Sequence, residues 1–135
     1  MKLALSKDCA DLNPHIGRSR TRVGLRCGMN KTEAEFALRL ETQKRAGEIL
    51  RYEFEGITLR FANVRYTPDF VVFWHVTDEL YPTGSTKVKC IEVKGPFIKG
   101  NRERAVERFR HAKTYWPEFT FEMWQKKDGA WNQII

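Results

Sequence analysis

Five large apolar residues in a row, Phe70-Val71-Val72-Phe73-Trp74, leave a strand with no polar face to turn to water. Such a run, apolar on both faces, marks a strand central in its sheet. Pro68 fixes the backbone just before it, and Asp69 puts a carboxylate at its entrance, so the strand is expected from Asp69 to about Val76. Downstream, Lys87 to Lys94 alternates: Ile91 and Val93 point one way, Cys90, Glu92 and Lys94 the other. The polar stretch Pro82-Thr83-Gly84-Ser85 between them predicts a long-looped antiparallel hairpin. Paired in that way, the two strands bring Asp69, Glu92 and Lys94 to one shared edge.

The rest of the chain supplies cover for that sheet. A first helix is predicted to start between Asn30 and Thr32 and to end at Gly47, a residue suited to the C′ position. Phe36, Ala37 and Leu40 form its apolar stripe, with Glu33 at the top of the buried face. Two capping boxes compete at its start, Thr32 with Glu35 and Asn30 with Glu33. The first leaves Glu33 free to point inward; the second makes it a capping carboxylate. Ile49 to Glu55 and Ile57 to Phe61 alternate on either side of Gly56 as two strands or one bent strand, and Asn63 to Thr67 reads as a connection. A second helix, about Gly100 to Trp116, has Ala105, Phe109, Ala112 and Trp116 on one stripe and a mixed charged face elsewhere; Pro117 stops it. Phe119 to Gln125 alternates as a strand, Lys127-Asp128-Gly129 turns, and Trp131 to Ile135 returns. The expected fold is α/β in the α+β sense, a central mixed sheet flanked by helices in the order α-β-β-β-β-α-β-β.

The 135 residues allow one domain with a real core. Its expected bounds are 30–135, preceded by an aperiodic basic arm over 1–29. A hydrophobic fraction of 41% with 30% charged residues is that of a globular chain. No apolar run nears the roughly 20 residues of a bilayer span, and the first residues do not form a signal peptide, so an intracellular location and no membrane partner are expected. Cys9, Cys27 and Cys90 are odd in number and widely spaced, hence reduced thiols; Cys9, His15 and Cys27 fit no usual zinc spacing. His15, His75 and His111 read as structural or surface residues.

A net charge of +7 favours a polyanionic partner, nucleic acid first. In the arm Arg18, Arg20, Arg22 and Arg26 recur at near-alternate positions and are candidates to neutralise phosphates, as are Lys31, Lys99 and Arg102. Gly95 removes a side chain where a phosphate backbone would come close. The acids add chemistry to this charge. Magnesium or manganese takes hard oxygen ligands, typically one or two carboxylates with water and phosphate oxygens. Asp69 and Glu92 would supply the carboxylates, the Val93 carbonyl a further ligand, and Glu33 a third acid. Lys94, on the Glu92 face, would hold the attacking water or neutralise charge developing on the phosphate.

These residues also resemble a known pattern. Pro68-Asp69 with Glu92-Val93-Lys94 and the following Gly95 is similar to the PD-(D/E)XK motif of the restriction-endonuclease-like nucleases, whose core runs αβββαβ. Asn30-Lys31-Thr32-Glu33, Tyr66-Thr67-Pro68-Asp69-Phe70 and Glu92-Val93-Lys94-Gly95 resemble small phage proteins likened to the endonuclease I type of Holliday junction resolvase. The likeness spans about Asn30 to Trp124. It implies that Asp69 and Glu92 bind magnesium, that Lys94 assists catalysis, that Glu33 is the helix-borne acid, and that the protein works on branched DNA as a homodimer. For a phage protein the compartment would be the host cytoplasm. The same core serves many nucleases, so a nicking or restriction-like enzyme acting on linear duplex is the alternative. A DNA-binding module without catalysis and an accessory factor of a recombination complex are rivals from other classes.

Overall fold

The computed structural model describes residues 28–76, 80, 84–96 and 102–135, with residue 102 described only by its place in a helix. The arm with its four arginines, and Lys99, lie outside the described residues. Helix α1 (Lys31–Arg45) begins at the N-cap Asn30 and closes at Ala46, followed by Gly47 with φ +78°. That left-handed C′ residue is the one glycine tolerates best. Strands β1 (Arg51–Phe54), β2 (Leu59–Phe61), β3 (Val64–Tyr66), β4 (Phe70–His75) and β5 (Thr86–Lys94) follow, then helix α2 (Arg102–Tyr115), β6 (Thr120–Lys127) and β7 (Ala130–Gln133).

The chain is mixed α+β. A five-stranded sheet runs β1-β4-β5-β6-β7, parallel only between β5 and β6. β4 is an interior strand, as its doubly apolar run requires, and β5 takes the middle. The expected β4–β5 hairpin forms in the register Phe70↔Ile91 to His75↔Thr86. One expectation fails. Residues 63 to 67 are not a plain connection, because Val64–Tyr66 is a strand that folds back on β2 as a separate two-stranded sheet. The turn between them uses Ala62 at φ +49°, a conformation with no glycine to announce it.

Alternation along the strands sends side chains to two cores. On one face Phe70, Val72, Ile91 and Val93 meet Phe36, Ala37 and Leu40 of α1. Phe36 is 1% exposed, and its ring meets Trp131 edge-on at 4.9 Å between centroids. Burying such a ring contributes about 1.5–3 kcal/mol and helps hold α1 against the sheet. On the other face Cys90, Phe121 and Met123 meet Phe109 and Ala112 of α2, with Leu59, Phe61 and Tyr66 of the hairpin. Burial pushes the Cys90 thiol up to about 12 and leaves it an inert core residue. Among the described residues no helix is long and apolar enough to cross a membrane.

Candidate active site

The site forms where β4 gives out beside β5. Their pairing ends at Phe70↔Ile91, so Asp69 falls opposite Glu92, on the face shared by Cys90. Beyond that point β5 runs on without a β4 partner, and the Asp69 carboxylate takes up the next donor: Val93 N–H donates to Asp69 Oδ2 at 2.7 Å. A strand residue's N–H and C=O leave by the same edge, so the Val93 carbonyl also faces the space where β4 has ended. Asp69 is held from behind as well, its backbone carbonyl accepting Glu55 N–H at 2.9 Å. Pro68, fully buried, introduces no competing donor.

Glu92 is gripped on both oxygens. Tyr66 O–H donates to Oε2 at 3.0 Å, and Lys94 Nζ pairs with Oε1 at 2.6 Å. Lys94 leaves β5 on the same face as Glu92, two residues on, which is why a strand can bring acid and amine together with no loop to position them. Burial and the adjacent Glu92 raise the Tyr66 hydroxyl pKa well above the usual tyrosine range, so it stays a donor. Asp69 is pushed up to about 8, chiefly by burial and then by Glu92, with the Val93 hydrogen bond and Lys94 pulling the other way.

Glu33 arrives from the other side of the sheet. The Asn30–Glu33 capping box wins the competition at the start of α1: Glu33 N–H donates to Asn30 Oδ1 at 2.9 Å, while Asn30 N–H and Nδ2 each donate to the Glu33 carboxylate at 2.7 Å. Glu35 is drawn instead to Lys126. Glu33 is therefore a cap, yet its carboxyl belongs to the electrostatics of the site. Burial raises it first, then the charges of Glu55 and Glu92, against the lowering pull of the Asn30 hydrogen bond and Lys94.

Among the described residues no three His, Cys, Asp or Glu side chains close into a ready cation cage. What the chain offers is the open pair Asp69 and Glu92 beside a backbone carbonyl, all hard oxygen donors. The pair fits a divalent cation on electrostatic grounds. Asp69 is raised by burial and then by the charge of Glu92, and the amine nearest to both, Lys94, is already paired with Glu92.

The remaining expected contacts are mixed. Lys31 is exposed on the first turn of α1. Among the described residues a side chain at position 95 would meet only Thr32 Oγ1, at an ordinary 3.5 Å, so their packing does not demand Gly95. Arg102 is the first residue of α2. A groove of about 740 Å³ between α2 and the chain end, lined by residues such as Glu107, His111 and Ile135, contains none of the site acids. Tyr66 and Glu55 do not stand out in the sequence as site residues. A clue to Tyr66 is its place in a short β-prone triplet, three residues before Asp69. Glu55 carries no such clue, because its φ of +47° breaks the alternation of β1. Comparison of the chain with protein-family models, with curated proteins and with solved structures finds no match.

Proposed function

We propose that this protein is a metal-dependent DNA endonuclease that hydrolyses phosphodiester bonds, with branched DNA as its substrate. One observation carries the reading: Asp69, Glu92 and Lys94 meet at the end of two paired strands in a chain of net charge +7. A structural ion pair needs one acid for one amine. Here a second, partly buried acid stands beside the pair, its carboxyl pushed up by burial and by the neighbouring Glu92. The order α1-β1-β4-β5-α2-β6 supports a restriction-endonuclease-like core, with the β2–β3 hairpin inserted after β1 and β7 added at the end. Branched DNA as substrate, action as a homodimer and residence in the cytoplasm of a phage host rest on the sequence resemblance.

In this reading Asp69, Glu92 and the Val93 carbonyl hold magnesium or manganese, which supplies Lewis acidity to the phosphate and acidifies bound water. The chain's own residues do the positioning. Tyr66 fixes the rotation of the Glu92 carboxylate. The Val93 N–H keeps one Asp69 oxygen directed at β5. Lys94 exchanges its partner: its ammonium leaves Glu92 for the non-bridging phosphate oxygens, where it offsets charge that grows as the bond breaks.

The test is cleavage of a four-way junction and of supercoiled plasmid at matched salt with either metal. Asp69→Asn and Glu92→Gln are expected to lower cleavage by at least about 10²-fold while DNA binding persists. Wild-type protein that leaves both substrates intact would remove the nuclease reading. Preference for plasmid over junction would transfer it to a nicking or restriction-like duplex enzyme.

A further inference from the structure

The β2–β3 hairpin carries a charge arrangement that the fold itself does not need. Its register sets Arg60 directly opposite Arg65. Leu59, Phe61 and Tyr66 fill the inner face, so both arginines stand on the outer one, exposed. Directly opposed residues have Cβ atoms about 4.5–5.5 Å apart, and like charges in that position destabilise a sheet. Nothing in the local sequence offsets them, since Gly56 to Pro68 contains no acid. Among the described residues no ion pair involves either guanidinium. A three-residue strand pair is a weak element to burden with this repulsion.

The hairpin is also tied to the site. Tyr66, next to Arg65, donates to Glu92, and Arg65 lies four residues before Asp69. Four residues of chain span at most about 14 Å, or about four nucleotides at 3.4 Å each along one strand.

We infer that Arg60 and Arg65 form a phosphate clamp, a pair of guanidinium forks that holds the nucleic-acid backbone a few nucleotides from the scissile bond. This rests on the nuclease reading for the word scissile, but not for the phosphate binding. Guanidinium is the side chain suited to it, being always charged and matched to phosphate oxygens in a planar fork. A bound backbone also removes the Arg–Arg repulsion, so the clamp binds more favourably than two arginines that already have acidic partners.

The experiment compares wild type with Arg60→Gln, Arg65→Gln and the double variant on junction DNA across a salt series, with melting temperature measured alongside. The double variant should lose about 1.8 from the slope of log binding constant against log salt, at 0.9 per phosphate contact. Its loss of cleavage should fall in KM rather than kcat. Arg60→Glu sharpens the test, because it faces Arg65 with an opposite charge. Melting temperature should rise as DNA binding falls. An unchanged salt slope with lowered melting temperature in the double variant would mean the arginines pair with acids of this chain, and would overturn the clamp. An unchanged slope and melting temperature would mark them as ordinary solvated surface, with the same result. If the wild type binds with the expected slope and never cleaves, the clamp stands and the nuclease reading fails.

Discussion

The Asp69 carboxylate accepts the Val93 N–H, which favours its charged form, while burial and Glu92 favour the proton. The second influence wins, and a pH dependence follows. With the folded-state value raised to about 8 from the ordinary 3.8, the folded chain keeps a proton here over a range where the unfolded chain has lost it. Stability from this residue is therefore fully present below about pH 4 and falls as pH rises toward 8. Asp69→Asn keeps an acceptor for Val93 and has no charge to bury. In metal-free buffer the variant should match wild type near pH 4.5 and exceed it at pH 8 by roughly 1–3 kcal/mol. Urea unfolding at the two pH values measures this, and parallel pH profiles would show that the Asp69 charge is already compensated. Magnesium should raise wild-type stability at pH 8 and leave the variant unmoved, because a cation that binds only the folded state stabilises by mass action.

Among the elements, the start of α1 divides structure from chemistry most cleanly. Glutamine can reach back to the N-cap N–H as glutamate does, so Glu33→Gln should keep stability within about 0.5 kcal/mol. Asn30→Ala, which loses the side-chain half of the cap while the backbone N–H of residue 30 can still donate to Glu33, should cost about 1 kcal/mol. If Glu33 serves the site only through its field, Glu33→Gln lowers cleavage by about tenfold. A loss equal to that of Asp69→Asn would make Glu33 a ligand. The ambiguity was already in the sequence, where Asn30–Glu33 and Thr32–Glu35 both fit a capping box; in the structure Asn30 bonds Glu33 with backbone and side chain while Glu35 pairs with Lys126. Other elements are plain in the sequence because one physical signal dominates. The apolar run of β4, the period of α2 and the alternation of β5 locate three elements and, through them, the meeting of Asp69 with Glu92. β3 is hidden because three residues are too few to show a period and its turn is built on Ala62 rather than glycine. Tyr66 is hidden with it, since its hydroxyl finds Glu92 only once the hairpin folds over that face.

For the whole molecule the distribution of charge matters more than its total. Residues 1–27 hold six basic and two acidic side chains, which accounts for four of the seven net charges. The remaining +3 is spread over the domain, whose site brings Glu33, Glu55, Asp69 and Glu92 within reach of one another's charge. Under the proposed function, the arm with its net +4 is expected to add phosphate contacts to those of the domain. Replacing Arg18, Arg20, Arg22 and Arg26 together with glutamine should lower the salt slope of duplex binding by up to about 3.6 if each meets one phosphate. The effect should be uniform across sequences, because backbone contacts carry no base information. It should also add to that of Arg60→Gln, as contacts at separate phosphates are independent. Isotherms at four or more salt concentrations resolve this. An unchanged slope would relieve the arm of any role in DNA binding and leave the attraction to the folded domain, with the hairpin arginines as its main basic feature near the site.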